Sequence, residues 1–427
     1  MKICFFNRSY WPDQAATGQL LSELAEDLVS RHGCAVSVVA GPALHGPGGQ
    51  GGQEGREGQE GREGQEGFRG GLMRRESHEG VNILRANSSR FAPARFAGRA
   101  ANYVTYFATA TAASFQIGRP DVVVSLTDPP IIGLTALFAA RRTGARFVFV
   151  CEDIFPEVAS LVEDFHNSAV NATLDRINRY LLHEADAVVA LGERMRQRLV
   201  EEKGADPGRV HVIHNWADCE AIVPAPKDNA FARAHGLADR FVVMHSGNVG
   251  LSQNLDVLIE AADRLRSRER LTIAIVGGGS RREALERMVA ERGLHNVRFL
   301  PYQSKSSLRE SFGAADAFVV SLKDELAGFI VPSKVYGILA AGRPYIAATN
   351  PTCEAATIAR DGGCGLLAAP GDACALADAI ASLYDDPTAT RAMGERARQA
   401  AWQFDRRVAV QAYYDLLGRV ARVARAA

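Results

Sequence analysis

The sequence predicts an α/β fold with two open, mainly parallel sheets facing each other across a cleft. Three observations carry this. Short apolar runs alternate with stretches of helical periodicity, the mark of βαβ crossovers. The alternation runs twice, interrupted between Trp216 and Arg240 by a polar stretch holding Pro224, Pro226, Lys227, Asp228 and Asn229, which reads as a linker. The length of 427 residues suits two or three domains of about 100–200 residues each.

The first series opens with an apolar run at residues 2–7. A helix follows from Thr17 to His32, with Leu20, Leu21, Leu24 and Leu28 on one face and Gly33 as its stop. Further strands are expected at 35–41, 81–85, 121–125, 147–151, 187–191 and 210–214. Residues 100–118 lack charges but carry Asn102, Thr105, Thr109, Thr111, Ser114 and Gln116. A spanning helix needs about 20 predominantly apolar residues, so this stretch reads as a helix packed on a sheet or lying at a membrane surface. The second series has strands at 241–246, 271–276, 297–300, 317–321 and 345–348. Its helices fall near 254–265, 281–292, 304–315, 333–341 and 372–384, and helical periodicity resumes from 388 to the end. Residues 47–71 break the pattern with GQE and GRE triplets. Such a run cannot bury an apolar face and is expected to be a disordered, solvated insertion.

Composition excludes several classes. The 49 basic and 49 acidic residues cancel, so no global field draws the chain to nucleic acid; an anionic partner must meet a local patch. Seven cysteines carry no C-x-x-C pair, which argues for free thiols in a reducing, cytoplasmic setting and against a zinc site. The apolar run at the N-terminus is too short for a signal h-region.

In open α/β sheets, ligands bind outside the carboxyl ends of the strands. The loop after the 241–246 strand reads Gly247-Asn248-Val249-Gly250, and Gln253 precedes a helix. Glycines let backbone amides approach an anion, so this is a phosphate site in form. Gly277, Gly278 and Gly279 end the next strand. They are contiguous and lack the sixth-position glycine of a dinucleotide fingerprint, which disfavours NAD. Pro332-Ser333-Lys334 opens a helix. A lysine there stands at the positive end of a helix dipole, a wasteful placement unless an anion docks beside it.

Taken in order, the segments SYWPDQAATGQLLSELAEDL, SLTDPPIIG, EDIFPE, VIHNWAD, SGNVGLSQNLDVLIEA and PSKVYGILAAGRP resemble the family 4 glycosyltransferases of GT-B fold, in particular the bacterial O-antigen and colanic-acid type subgroup. The resemblance implies two Rossmann-like domains. Residues 1–218 take the acceptor, 219–240 link, 241–402 take the nucleoside diphosphate sugar (UDP- or GDP-linked), and 403–427 cross back to the N-terminal domain. It implies retention of anomeric configuration without a metal. By position, Gly247, Asn248, Gly250 and Gln253 would line the donor phosphates with Gly277 and Gly278. Ser333 and Lys334 would contact diphosphate or ribose. Thr17 and Gly18 match the first Gly-rich loop, and Asn215 and Asp218 the hinge turn. Asp153 stands where the family often places a His or Asp near the sugar, with Glu152 beside it. Two departures stand out. Phe329 and Gly337 occupy the places of the family's paired glutamates, and Ser252-Gln253 replaces the usual Lys-Gly.

The expected chemistry is sugar transfer, with Lys334 stabilising the leaving diphosphate and Asp153 or Glu152 positioning or deprotonating the acceptor. The acceptor is expected to be a polyprenyl-diphosphate-linked saccharide. Arg85, Arg90, Arg95 and Arg99, interleaved with Phe91, Phe96, Tyr103 and Phe107, would rest on an anionic membrane at its cytoplasmic face. Two rivals share the fold: a nucleotide-sugar 2-epimerase, and a non-catalytic partner subunit suggested by the missing glutamates.

Overall fold

The computed structural model describes residues 1–13, 15–43, 72–89, 91, 96–162 and 167–426. The 47–71 repeat, Arg90 and Arg95 lie outside them, and so does the side chain of Arg99. Arg85, expected at a membrane surface, is instead buried, paired with Glu76 and donating to Gly41 O.

The N-terminal sheet has eight strands: β1 (Lys2–Phe6), β2 (Ala35–Ala40), β3 (Met73–His78), β4 (Val81–Ala86), β5 (Val122–Ser125), β6 (Arg146–Cys151), β7 (Ala187–Ala190) and β8 (Val210–Val212). Their order is β3-β4-β2-β1-β5-β6-β7-β8. The pairs are parallel except the β3–β4 hairpin. Central strands such as VVVS and RFVFVC are buried on both faces, which is why they read as unbroken apolar runs. The strand β3 (MRRESH) escapes the sequence reading because it is a polar edge, where charged side chains blunt unwanted pairing. Helices α1 (Ala16–Ser30), α2 (Phe96–Ser114), α3 (Ile132–Thr143), α4 (Glu157–Val162), α5 (Ser168–Glu184) and α6 (Glu193–Glu201) flank this sheet. In α2, Tyr106, Ala110 and Ala113 are fully buried and the Tyr106 hydroxyl donates to Val39 O at 3.1 Å, so this helix packs on the sheet. Among the described residues no helix is long and apolar enough to cross a membrane.

The C-terminal sheet has six strands: β9 (Phe241–Ser246), β10 (Leu271–Val276), β11 (Val297–Leu300), β12 (Ala317–Ser321), β13 (Tyr345–Ala348) and β14 (Gly365–Ala368), ordered β11-β10-β9-β12-β13-β14 and parallel throughout. Its helices are α7 (Ala230–Ala234), α8 (Asp256–Arg264), α9 (Arg282–Glu291), α10 (Leu308–Gly313), α11 (Lys334–Ala340), α12 (Glu354–Asp361), α13 (Ala373–Asp385) and α14 (Pro387–Ala401). The 219–240 segment expected as a linker is a correction. It carries α7, and Phe231, Ala232 and Leu237 are buried in the C-terminal core. The polar residues around them masked these anchors.

The final helix α15 (Arg406–Ala426) follows a break at Trp402–Phe404 and packs on the N-terminal domain. Val410, Tyr413, Leu416, Leu417 and Val420 join Ile3, Phe5 and Val148 in one core. Arg406 donates to both oxygens of Asp27 in α1 at 2.8 Å, fixing where the helix lands.

Candidate active site

Each sheet has a point where the chain order reverses, between β1 and β5 in the first and between β9 and β12 in the second. Ligands of open α/β sheets sit outside the carboxyl ends of the strands at such points. The residues there are Arg8, Ser9 and Asp128 on one side and His245, Gly247 and Leu322 on the other.

Lys334 reaches the second switch point from the first residue of α11. Its Nζ lies 3.2 Å from His245 Nε2 and 3.5 Å from where a Cβ on Gly247 would stand. Among the described residues it forms no ion pair with a carboxylate. Burial pushes its pKa down to about 7 because no solvent shell or counter-ion supports the charged form. His245, the penultimate residue of β9, is fully buried. Burial, and then the nearby Lys334, hold its pKa well below the usual histidine range. Its Nε2 is also 3.2 Å from Asn248 O, and its Nδ1 has no hydrogen-bond partner. The sequence reading passed over His245. The only signal was a polar pair, His245 and Ser246, ending the run FVVMHS.

The glycines shape this corner by letting two loops touch backbone to backbone. A Cβ on Gly277 would sit 2.0 Å from Gly247 O, and Gly277 has φ +136. That contact corrects the expected amide cradle. Gly247 N–H donates to Val276 O at 2.9 Å, Val249 N–H to Gly278 O at 2.9 Å, and Gly250 N–H to Gln253 Oε1 at 3.0 Å. Those donors, and the Gln253 side chain, hold the loop together. Of the four loop amides, Asn248 N–H alone has no partner among the described residues. Gly278 faces open space. Ser333, half-buried, makes no side-chain cap for α11.

Glu152 and Asp153 follow β6 on the opposite wall. Burial raises the Glu152 carboxyl to about 7; Asp153 adds to this and a hydrogen bond from Asn215 opposes it. Burial, and then the charge of Asp128, raise Asp153 to about 7. Asp128 itself accepts from Arg8 Nε at 3.1 Å and from both Ser9 N–H and its hydroxyl. Asp153 pairs across the cleft with Ile330, four residues before Lys334 in the chain. Thr17 and Gly18 both lie within the first turn of α1, and a Cβ on Gly18 would stand 3.2 Å from the Ser9 backbone. Asn215 is buried beside Glu152, while Asp218 Oδ1 accepts from Glu220 and Ala221 N–H at the crossing between domains.

Gly337 and Phe329 account for the missing glutamates in different ways. A Cβ on Gly337 would meet the Phe312 ring at 3.2 Å, so this face of α11 is packed against α10. Phe329 is buried in the core of the N-terminal domain.

Comparison with known proteins agrees with this architecture. Residues 16–216 match the glycosyl transferase 4-like domain and residues 227–400 the glycosyl transferases group 1 model. A probable glycosyltransferase, WbjE of Pseudomonas aeruginosa, is 28% identical over 267 residues, which cover 61% of this chain and 66% of that protein. The putative colanic acid biosynthesis glycosyl transferase WcaI of Escherichia coli K12 is 31% identical over 231 residues, 52% of this chain and 56% of that one. The chain thus spans between about half and two thirds of the length of these curated relatives. The crystal structure of HepE from Anabaena in complex with UDP superposes with a TM-score of 0.71 at 18% identity, covering 98% of this chain and all of that one. With one model matching each domain, the chain belongs to the GT-B glycosyltransferases that join a glycosyl transferase 4-like domain to a glycosyl transferases group 1 domain.

Proposed function

We propose that the chain transfers a sugar from a nucleoside diphosphate sugar to a lipid-linked saccharide in bacterial surface-polysaccharide synthesis. The observation that carries this is Lys334, a part-buried cation without a carboxylate partner, set against Gly247 at the switch point of the second sheet. A diphosphate supplies the missing counter-charge, and its approach returns the lysine to the charged form. The bond from the anomeric carbon to the β-phosphate oxygen breaks, and Lys334, rather than a metal ion, offsets the charge left on that oxygen. Asp153 and Glu152, poised near neutrality, accept a hydrogen bond or the proton from the acceptor hydroxyl. The sugar is delivered with retention, as the family resemblance implies.

The similarity to WcaI and WbjE supports the polysaccharide setting, and the UDP bound to HepE supports a nucleotide in the cleft. Exposed Phe91, Val104, Phe115 and Phe138, with the Arg142 guanidinium 5.0 Å from the Phe115 ring, support a peripheral membrane contact on the acceptor domain.

The test is transfer from UDP- and GDP-linked radiolabelled sugars into a bacterial lipid extract, run in EDTA, with the product's anomeric configuration read by NMR. Label appearing in the lipid fraction supports the reading. Conversion of the sugar nucleotide to an isomer without acceptor would replace it with the epimerase.

A further inference from the structure

The segment between β12 and α11 does something that its place in the C-terminal domain does not require. Asp324–Leu326 form a short turn, and of the residues after it Phe329 and Val331 pack on the N-terminal core while Ile330 packs with Leu322, Leu326 and Cys353. Phe329 is 7% exposed and lies within the hydrophobic core of the N-terminal domain. The Arg198 guanidinium of α6 stands 3.9 Å from the centroid of its ring, and Arg198 Nε donates to Ala327 O at 2.7 Å. Ile154 N–H donates to Phe329 O at 3.0 Å, and Asp153 bridges to Ile330. Gly328, at φ +78, lets the segment press on α6, since a Cβ there would stand 2.7 Å from Arg194 Cγ.

Two more contacts flank the segment. Leu161 of α4 packs on Leu322, Leu326 and Cys353. Glu354, at the start of α12, accepts from Arg194 N–H at 3.0 Å and so caps α6 across the cleft.

We propose that residues 324–331 are a strap by which the C-terminal domain clasps the N-terminal domain, and that Phe329 is the positioning residue through which this clasp sets Lys334. The inference rests on the reading of Lys334 as the diphosphate's cation. The physical link is short. Phe329 O and Ile330 are fixed on the strand end that bears Asp153, and Pro332-Ser333-Lys334 follow at once. When the domains part, Phe329 leaves its apolar site, Arg198 loses a ring and a carbonyl, and the chain entering α11 loses its anchor. The clasp thereby bears on where Lys334, the first residue of α11, lies beside Gly247. The aromatic side chain, buried with the Arg198 guanidinium over its face, suits a docking role.

Cys374 is exposed and the other six cysteines are buried, so spin labels on Cys374 and on an introduced Arg119→Cys report the distance between domains in the full chain. The unsubstituted strap is expected to give one short distance. Phe329→Ala is expected to add a population at longer distance and to weaken UDP or GDP binding about tenfold, as a small misplacement of a charge does. Phe329→Leu should restore the short distance. Arg198→Ala leaves the core intact, serves if Phe329→Ala does not fold, and should also lengthen the distance. A distance distribution unchanged in Phe329→Ala, or in Arg198→Ala where it stands in, overturns the clasp. A lengthened distance with unaltered nucleotide affinity overturns its link to Lys334. Failure of the wild type to bind either nucleotide removes the donor reading and so the link to Lys334, while the distances still decide the clasp.

Discussion

Lys334 Nζ lies 3.2 Å from His245 Nε2, with burial lowering the ionisation of both groups. A lysine and a histidine in contact, with no carboxylate between them, form a corner that favours an incoming anion over its own empty state. The stability of the ligand-free protein should show this strain.

The Lys334 pKa falls from 10.5 to about 7 on folding. The unfolded chain therefore binds the extra proton between these values, and stability from this group rises with pH through that window. Lys334→Met is expected to melt higher than the wild type at pH 6, with the gap closing as pH rises from about 7 towards 10.5. Melting curves across pH check this.

Glu152 and Asp153 titrate in the opposite sense. Their folded pKa values of about 7 exceed the ordinary 4.5 and 3.8, so folding loses stability as pH rises from about 4 to 7. Asp153→Asn is expected to match the wild type in melting temperature at pH 4 and to exceed it above pH 7. Its transfer rate should fall, about 10²-fold if the carboxyl takes the acceptor proton.

Gly277→Ala places a methyl 2.0 Å from Gly247 O at a φ that L-residues rarely adopt. The expected cost is about 3 kcal/mol, read by urea unfolding, together with loss of stabilisation by nucleotide. Gly278→Ala, whose Cβ meets nothing within 4 Å, should be nearly neutral in unfolding. The pair separates loop packing from ligand contact.

Arg406→Ala removes both hydrogen bonds to the buried Asp27 and leaves that carboxylate only the more exposed Arg31, 3.3 Å away. A loss of about 1–2 kcal/mol is expected. Proteolysis of α15 should accelerate in step, because the helix would lose its polar anchor on α1.

The strands were legible where burial on both faces writes an unbroken apolar run, as in FVVMHS, LTIAIV and AFVVS. They were not where tertiary context supplies the pairing, as in polar β3 and in GLLA of β14. The helix α12, eight residues from Glu354, was missed because its buried stripe is mostly alanine. In the site, Lys334 was legible as a cation out of place. The spent amides of Gly247 and Gly250 were not, since a glycine that frees an amide for a ligand and one that admits a neighbouring carbonyl look alike in sequence. The role of Phe329 was equally hidden: sequence registers the loss of an acid, and only the fold shows which domain the ring enters.

Calorimetric titration of UDP and GDP into the wild-type protein and Lys334→Ala at pH 7 tests the central claim most directly. One nucleotide should bind the wild type, and the alanine variant should bind it about 10–100-fold more weakly, the share of one charge-assisted contact to phosphate. Equal affinity of the two proteins for that nucleotide would show that Lys334 does not hold the diphosphate.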